Sequence, residues 1–401
     1  MVVEEVRKAL AEGRLPLPRK GAVVEGPHAG LPWLVCDDDM FEADAASEYL
    51  RDLMLGDGRA ASCKSYANDL LRWFRMLWAI ELEWEKATEA EAALIVAYLK
   101  TADNPQRRRQ QTDSPPAGSV NLRTGKAALS RGYAPSTINH QLSVLSAFYA
   151  FHARFGRGPV TNPIPVSASH RRALAHRSPL EPAPRFRRSR LRQKVPQQAP
   201  RAIPDAMWEE LFAAMTSDRD RALLSFYVSS GARASELLGL VTRNVDWAGK
   251  RIYVVTKGGD MLEPIPASPE SFLYLTLYLD DHGVPGPDDI VWRTIHGPER
   301  PLSYSAMRRV IQRANAKLGT NWTLHDMRHT ACTRMARDER LTLTDVQTIM
   351  RHKDLDTTRR YMPTTIDELF DRLQEFYAAP TPQRTYAAGY DAEDIKAVFG
   401  A

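Results

Sequence analysis

The sequence predicts a mainly α chain in two bodies: an N-terminal helical bundle, then a mixed, mostly α-helical domain with a small antiparallel sheet. Three observations carry this. Apolar residues recur at helical spacing through much of the chain. One stretch, KRIYVVTKGGDMLEPIP, has the β-branched residues and central Gly-Gly of a hairpin. Before it, a segment holding Pro179, Pro182, Pro184, Pro196, Pro200 and Pro204 prevents regular helix and favours an extended course, so it reads as the main boundary. A chain of 401 residues is in any case too long for one small core.

The elements follow in order. Residues 1–41 read as an N-terminal extension, and no convincing strand pair is found before the boundary. Ser62 is placed to cap a helix whose stripe is Tyr66, Leu70, Trp73 and Leu77. Thr88 with Glu91 forms a capping box for a helix ending near Lys100. Pro135 and Ser136 open a helix with Ile138, Leu142, Leu145 and Phe148 on one face, stopped by Gly156 and Gly158. Residues 102–134 form a polar insertion that carries Arg107, Arg108 and Arg109 and then NLRTGKAALSRG, either a short hairpin or a flexible loop. Beyond the boundary, Pro204 suits the first position of a helix carrying Met207, Leu211 and Met215. Helices continue through ALLSFYVSSG and ASELLGL, then resume after the hairpin from Ser268, Ser303, Thr323, Thr342 and Thr365. The last of these, IDELFDRLQEFY, gathers Ile366, Leu369, Phe370, Leu373 and Phe376 on one side, a face that packs on its own domain or on another molecule. No period of repeat length recurs, which excludes a solenoid.

Composition excludes several classes. With 43% hydrophobic and 26% charged residues the chain is not disordered as a whole. It has no apolar run long enough to span a bilayer, and its first residues lack the apolar core of a secretory signal, so a cytoplasmic protein without membrane partners is expected. Cys36, Cys63 and Cys332 stand far apart, which encodes neither a disulfide framework nor a zinc site. No acidic cluster has metal-ligand spacing, so neither metal nor cofactor is expected. Charge is the exception to this ordinary balance. Residues 165–204 hold ten basic side chains, among them Arg187, Arg188, Arg190, Arg192 and Lys194, against the single acid Glu181. The whole chain carries only +5, so the rest is net negative. Such a strap is either a solvated linker or a contact for a polyanion such as DNA.

Arg233 stands in SGARASELLGL, Lys257 in VVTKGG, His325 and Arg328 in LHDMRHTACTRM, and His352 and Tyr361 in MRHKDLDTTRRYM. Alone, each has an ordinary explanation: a surface His–Arg pair, a half-buried tyrosine, an Arg233–Glu236 ion pair, a solvated lysine in a turn. Together, six positions in this order resemble the tyrosine recombinases, or phage integrases, over about residues 42–377. The H-x-x-R spacing and the tyrosine nine residues after His352 are the most specific elements. The helix STINHQLSVLSAFYAFHARFG also resembles the end of the family's core-binding domain.

The resemblance implies a domain order: an extension at 1–41, a helical core-binding (SAM-like) DNA-binding domain at 42–164 with the insertion 102–134, a basic linker at 165–203, a catalytic domain at 204–379 and a tail at 380–401. It also implies the chemistry. Phosphodiester cleavage gathers negative charge on non-bridging oxygens, which planar, permanently charged guanidiniums clamp better than ammonium groups. Arg233 and Arg328 fit that clamp, and His352 donates a further hydrogen bond. His325 assists proton transfer at the nucleophile, Tyr361 attacks, and Lys257 protonates the departing 5′ oxygen. Glu236 supports by orienting the phosphate-binding residues. The product is a 3′-phosphotyrosyl link, resolved through a Holliday junction without ATP or metal.

The implied partners are double-stranded DNA recombination sites, three further copies in a homotetramer on synapsed DNA with a free monomer, and an accessory DNA-bending factor. Arg107, Arg108, Arg109, Arg187, Arg188, Arg190, Arg192 and Lys194 are expected DNA contacts, and the protein is placed with the cytoplasmic nucleoid. The length, insertion and strap favour a mobile-element integrase or transposase. A Xer-like resolvase, a type IB topoisomerase-like enzyme and an architectural DNA-binding protein are the alternatives. One departure stands out: Met350 and Arg351 occupy the place where the family commonly has Leu-Gly, so that the turn differs or the arginine adds a phosphate contact.

Overall fold

A computed structural model describes residues 2–105, 116–164, 189–196, 201–256 and 261–352, together with 358, 374, 377 and 378. These fall into two units, Met1–Gln197 and Gln198–Ala401.

The first unit contains α1 (Val3–Ala11), the hairpin β1 (Ala22–His28) and β2 (Leu31–Cys36), then α2 (Asp44–Leu55), α3 (Ala60–Ala79), α4 (Glu89–Thr101) and α5 (Pro135–Arg154). Its core is built on the expected stripes: Leu70, Trp73 and Leu77 from α3 meet Ile138, Leu142, Leu145 and Phe148 from α5. The Tyr149 hydroxyl accepts from Trp73 Nε1 at 3.0 Å and donates to the Trp84 carbonyl at 3.1 Å, which satisfies two buried aromatic polar groups at once. The Thr88–Glu91 capping box is present, with the Thr88 N–H donating to Glu91 at 2.7 Å. Ser62 is not a cap: α3 begins two residues earlier on an extended Arg59, and the Ser62 N–H already bonds the Arg59 carbonyl at 2.8 Å.

The β1–β2 hairpin is absent from the sequence reading. Proline lies in both strands, Pro27 and Pro32, and the register shifts after Glu25. A two-stranded ribbon is all edge and tolerates proline, and packing of Leu31 and Val35 into the core supplies what alternation does not. In the insertion, Val120 bridges Ala127 and the Asn121 N–H bonds the Lys126 carbonyl at 3.0 Å, so residues 119–128 form a short hairpin. Arg107, Arg108 and Arg109 lie outside the described residues. The strap's end at 189–196 belongs to this unit: Leu191 is buried in its core, Asn139 and Gln193 exchange hydrogen bonds at 2.8 and 3.0 Å, and Arg190 pairs with Glu89.

The second unit runs α6 (Asp205–Ala213), α7 (Asp218–Ser230), α8 (Ala234–Leu238), β3 (Val245–Asp246), β4 (Arg251–Val255), β5 (Leu262–Pro266), α9 (Pro269–His282), α10 (Tyr304–Leu318), α11 (Leu324–Arg337) and α12 (Leu343–Met350). Ser268, Ser303, Thr323 and Thr342 are N-caps, as their spacing predicts. Pro204 is the cap of α6 and not its first residue. The hairpin β4–β5 pairs Ile252 with Ile265, and β3 adds a third antiparallel strand. Helix α7 is buried over most of its length, packed on α9 and α11, and its buried Arg219 is paired with Asp220 at 2.6 Å. Among the described residues no helix is long and apolar enough to cross a membrane. The segment from Thr365 through the amphipathic stretch lies mostly outside the described residues.

Candidate active site

Three chain segments converge at the ends of α7, α11 and α12. Helix α7 stops at Gly231, which takes the left-handed conformation (φ 60°, ψ 18°). A Cβ there would strain the backbone angle and sit 2.5 Å from Met350 Sδ, which would have to shift. Two residues on, Arg233 opens α8. The Glu236 carboxylate accepts from the Arg233 main-chain N–H at 2.7 Å and from its guanidinium Nη1 at 2.6 Å.

Helix α11 is opened by a Thr323–Asp326 capping box. His325, Arg328 and His329 are spaced to share one face. The imidazole rings of His325 and His329 lie edge to face at 4.1 Å. Arg328 is buried, and its guanidinium donates to the Gly231 carbonyl and to the Met350 carbonyl. It thereby ties the end of α7 to the end of α12.

Helix α12 ends at Arg351, which is also left-handed (φ 51°, ψ 48°). The turn thus keeps the geometry a glycine would supply, at a steric cost of roughly 1–2 kcal/mol for a residue with a Cβ. The Arg351 side chain donates to the Ile349 carbonyl at 2.6 Å and to Glu236 Oε2 at 2.8 Å, while its own carbonyl accepts from Arg233 Nη2 at 3.2 Å. The Glu236–Arg351 pair spans 115 residues and was not read from the sequence. The only available signal was an arginine at a helix end where a glycine is usual. His352 follows. Its N–H bonds the Gln347 carbonyl at 3.1 Å, and its Nδ1 lies 2.9 Å from the hydroxyl of the wholly buried Thr358.

Electrostatics follow from this crowding. Burial, then Arg328, Arg233, Arg351 and His329, push the His352 imidazole down to about 4, so it is neutral at pH 7. Burial alone would raise the Glu236 carboxyl, but Arg351 and Arg233 hold it below the ordinary carboxylate range. A histidine depressed in the folded state contributes stability that is complete above its unfolded value of 6.5 and is lost as pH falls toward 4. Unfolding of the wild type by urea should therefore become easier across that interval, and His352→Gln should flatten the decline. Parallel curves for the two proteins would count against a buried neutral His352.

Of the expected catalytic set, Arg233, Arg328, His352 and the supporting Glu236 come together, with His325 one turn away on α11. Lys257 and Tyr361 lie outside the described residues. Of the expected DNA contacts, Arg190, Arg192 and Lys194 are exposed on the first unit, Arg190 with its charge engaged by Glu89. Arg187 and Arg188 lie outside the described residues. Among the described residues no group of His, Cys, Asp or Glu could hold a metal ion.

Residues 202–366, which contain all six catalytic candidates, match the phage integrase family. Over that span the chain is similar to the phage integrase, or tyrosine recombinase, family. It is 27% identical over 170 residues to the tyrosine recombinase XerC of Pelobacter propionicus, covering 41% of this chain and 55% of that protein. Against XerC of Serratia marcescens the figures are 31% over 168 residues, 41% and 53%. The matches therefore span about half the length of these two relatives. XerC of Halalkalibacterium halodurans is 26% identical over 255 residues, 60% of this chain and 75% of that one. Among solved structures, the Tn1549 transposon integrase in complex with a circular intermediate DNA has a TM-score of 0.55 at 15% identity, covering 82% of this chain and 99% of that chain. A lambda integrase dimer bound to a core site has a TM-score of 0.53 at 14% identity, covering 79% and 94%. At such identities these structures establish an integrase fold and nothing finer.

Proposed function

We propose that this chain is a site-specific DNA recombinase that cleaves and rejoins strands through a 3′-phosphotyrosyl intermediate and a Holliday junction, integrating or excising a mobile element. The observation that carries the reading is the convergence of Arg233 and Arg351 on the Glu236 carboxylate, with Arg328 tying the neighbouring Gly231 and Met350 carbonyls and a neutral His352 acted on by all three arginines. Guanidiniums gathered from separate segments suit an anion, and a phosphodiester brings one with oxygens matched to guanidinium forks.

In this reading Arg233 and Arg328 clamp the non-bridging oxygens and His352, held neutral, donates a hydrogen bond to one of them. His325 assists removal of the Tyr361 proton. The tyrosyl oxygen bonds to phosphorus, the bond from phosphorus to the 5′ oxygen breaks, and Lys257 protonates the leaving oxygen. Attack by a partner strand's 5′-hydroxyl reverses these steps. One phosphoester replaces another, so no ATP is needed, and the arginines serve as charge sink in place of a metal. The exposed Arg192 and Lys194 and the insertion hairpin support a DNA-binding role for the first unit, with Arg107, Arg108, Arg109, Arg187 and Arg188 added from the sequence. Assembly as a tetramer on synapsed DNA, aid from a DNA-bending factor and a cytoplasmic, nucleoid-associated location complete the proposal. The length of the chain, the insertion and the basic strap favour a mobile-element role.

The test is covalent trapping on the junction DNA that flanks the encoding element, in EDTA. A denaturant-stable adduct at a 3′ phosphate with a free 5′-hydroxyl is expected. DNA that binds without any adduct would favour an architectural protein instead.

A further inference from the structure

We propose that Arg351 is a positioning residue for the phosphate clamp: its buried guanidinium holds the second oxygen of Glu236 while its carbonyl holds Arg233, so that Arg233 is fixed from two sides. This deepens the recombinase reading and rests on it.

Glu236 has two oxygens and three donors. Oε1 takes Arg233 Nη1 at 2.6 Å; Oε2 takes the Arg233 N–H at 2.7 Å and Arg351 Nη2 at 2.8 Å. Without Arg351, the carboxylate would be balanced by Arg233 alone and would draw that guanidinium toward both of its oxygens, away from a bound phosphate. The Arg351 carbonyl, 3.2 Å from Arg233 Nη2, fixes the other edge of the same guanidinium. The backbone argues that the side chain, and not the turn, is what this position needs. Residue 351 is left-handed, a conformation in which glycine is unstrained and arginine is not, yet arginine stands there with its side chain only 10% exposed. Groups that orient first-contact ligands typically matter by about ten- to a hundred-fold in affinity or activity.

Arg351→Gly separates the two roles, because glycine keeps the left-handed turn and its carbonyl and removes the side chain. Two measurements on the full-length protein are needed. The first follows the His352 ring proton by NMR while inorganic phosphate is titrated in. Among the described residues, the charged groups acting on that ring are Arg328 and His329 from α11, Arg233 from the start of α8 and Arg351 from its own turn, with Glu236 and Glu263 of β5 acting on Arg351. Arg351→Gly should weaken phosphate binding about tenfold and raise the pH at which His352 titrates, and Arg351→Lys, which restores a cation, should recover most of both. The second measurement is single-turnover DNA cleavage, expected to slow by a similar factor at unchanged DNA affinity and unchanged or higher melting temperature. Wild-type phosphate binding and cleavage in Arg351→Gly would overturn the proposal. So would equal losses in the Gly and Lys variants that track a lower melting temperature, which would make Arg351 a packing residue. If the wild type cleaves no DNA, the recombinase reading fails, but the phosphate titration still decides whether Arg351 positions Arg233.

Discussion

Tyr361→Phe is expected to form no covalent DNA adduct at all, while DNA binding stays close to the wild-type value. Removing the nucleophile of a covalent mechanism costs on the order of a million-fold, beyond the range of a trapping assay. Binding should persist because affinity for DNA comes from many phosphate contacts and not from one phenol hydroxyl. Gel shift and denaturing electrophoresis on the same DNA separate the two quantities. An adduct that survives in the variant would remove Tyr361 from its role, and a parallel loss of binding would make it a DNA contact.

Arg328→Ala has the next largest expected effect, and it should appear in two observables. Cleavage should fall by about a hundred- to a thousand-fold, the usual cost of deleting one preorganised donor to a developing charge. Stability should fall as well, because Arg328 is buried and its guanidinium braces the Gly231 carbonyl against the Met350 carbonyl. Hydrogen bonds from a charged group contribute about 1.5–3 kcal/mol each, so a loss of about 3 kcal/mol or more is expected in urea unfolding. Arg328→Lys restores the charge but not the planar fork, and one lysine cannot span both carbonyls in the same geometry. It should recover part of the stability and little of the cleavage. Cleavage within tenfold of wild type in Arg328→Ala, measured where the variant is fully folded, would show that Arg328 is only a brace.

Much of the fold was legible because it depends on near neighbours. The Thr88–Glu91 box, Pro135 at the start of α5, and the caps at Ser268, Ser303, Thr323 and Thr342 are interactions within one helical turn, and the structure contains each of them. What was missed depends on distant partners. The β1–β2 hairpin carries prolines that weaken its local signal, and it persists because Leu31 and Val35 reach the core of the first unit. Leu191 sits in a segment that reads as a charged linker, and only the bundle beneath it makes it a core residue. Ser62 has the right chemistry for a cap, but the extended Arg59 begins the helix a half-turn sooner.

The site divides along the same line. By itself the sequence determined which residue types are present and in what order, because Arg233, His325, Arg328 and His352 stand in short motifs whose spacing is a property of the chain. Only the tertiary structure decided that Arg328 is buried against two carbonyls, that Arg351 shares Glu236 with Arg233, and that His352 is held neutral. The physical reason is range. Capping and periodicity act over three or four residues, whereas desolvation and charge compensation are set by groups that meet from segments about a hundred residues apart, and those exist only once the core has packed.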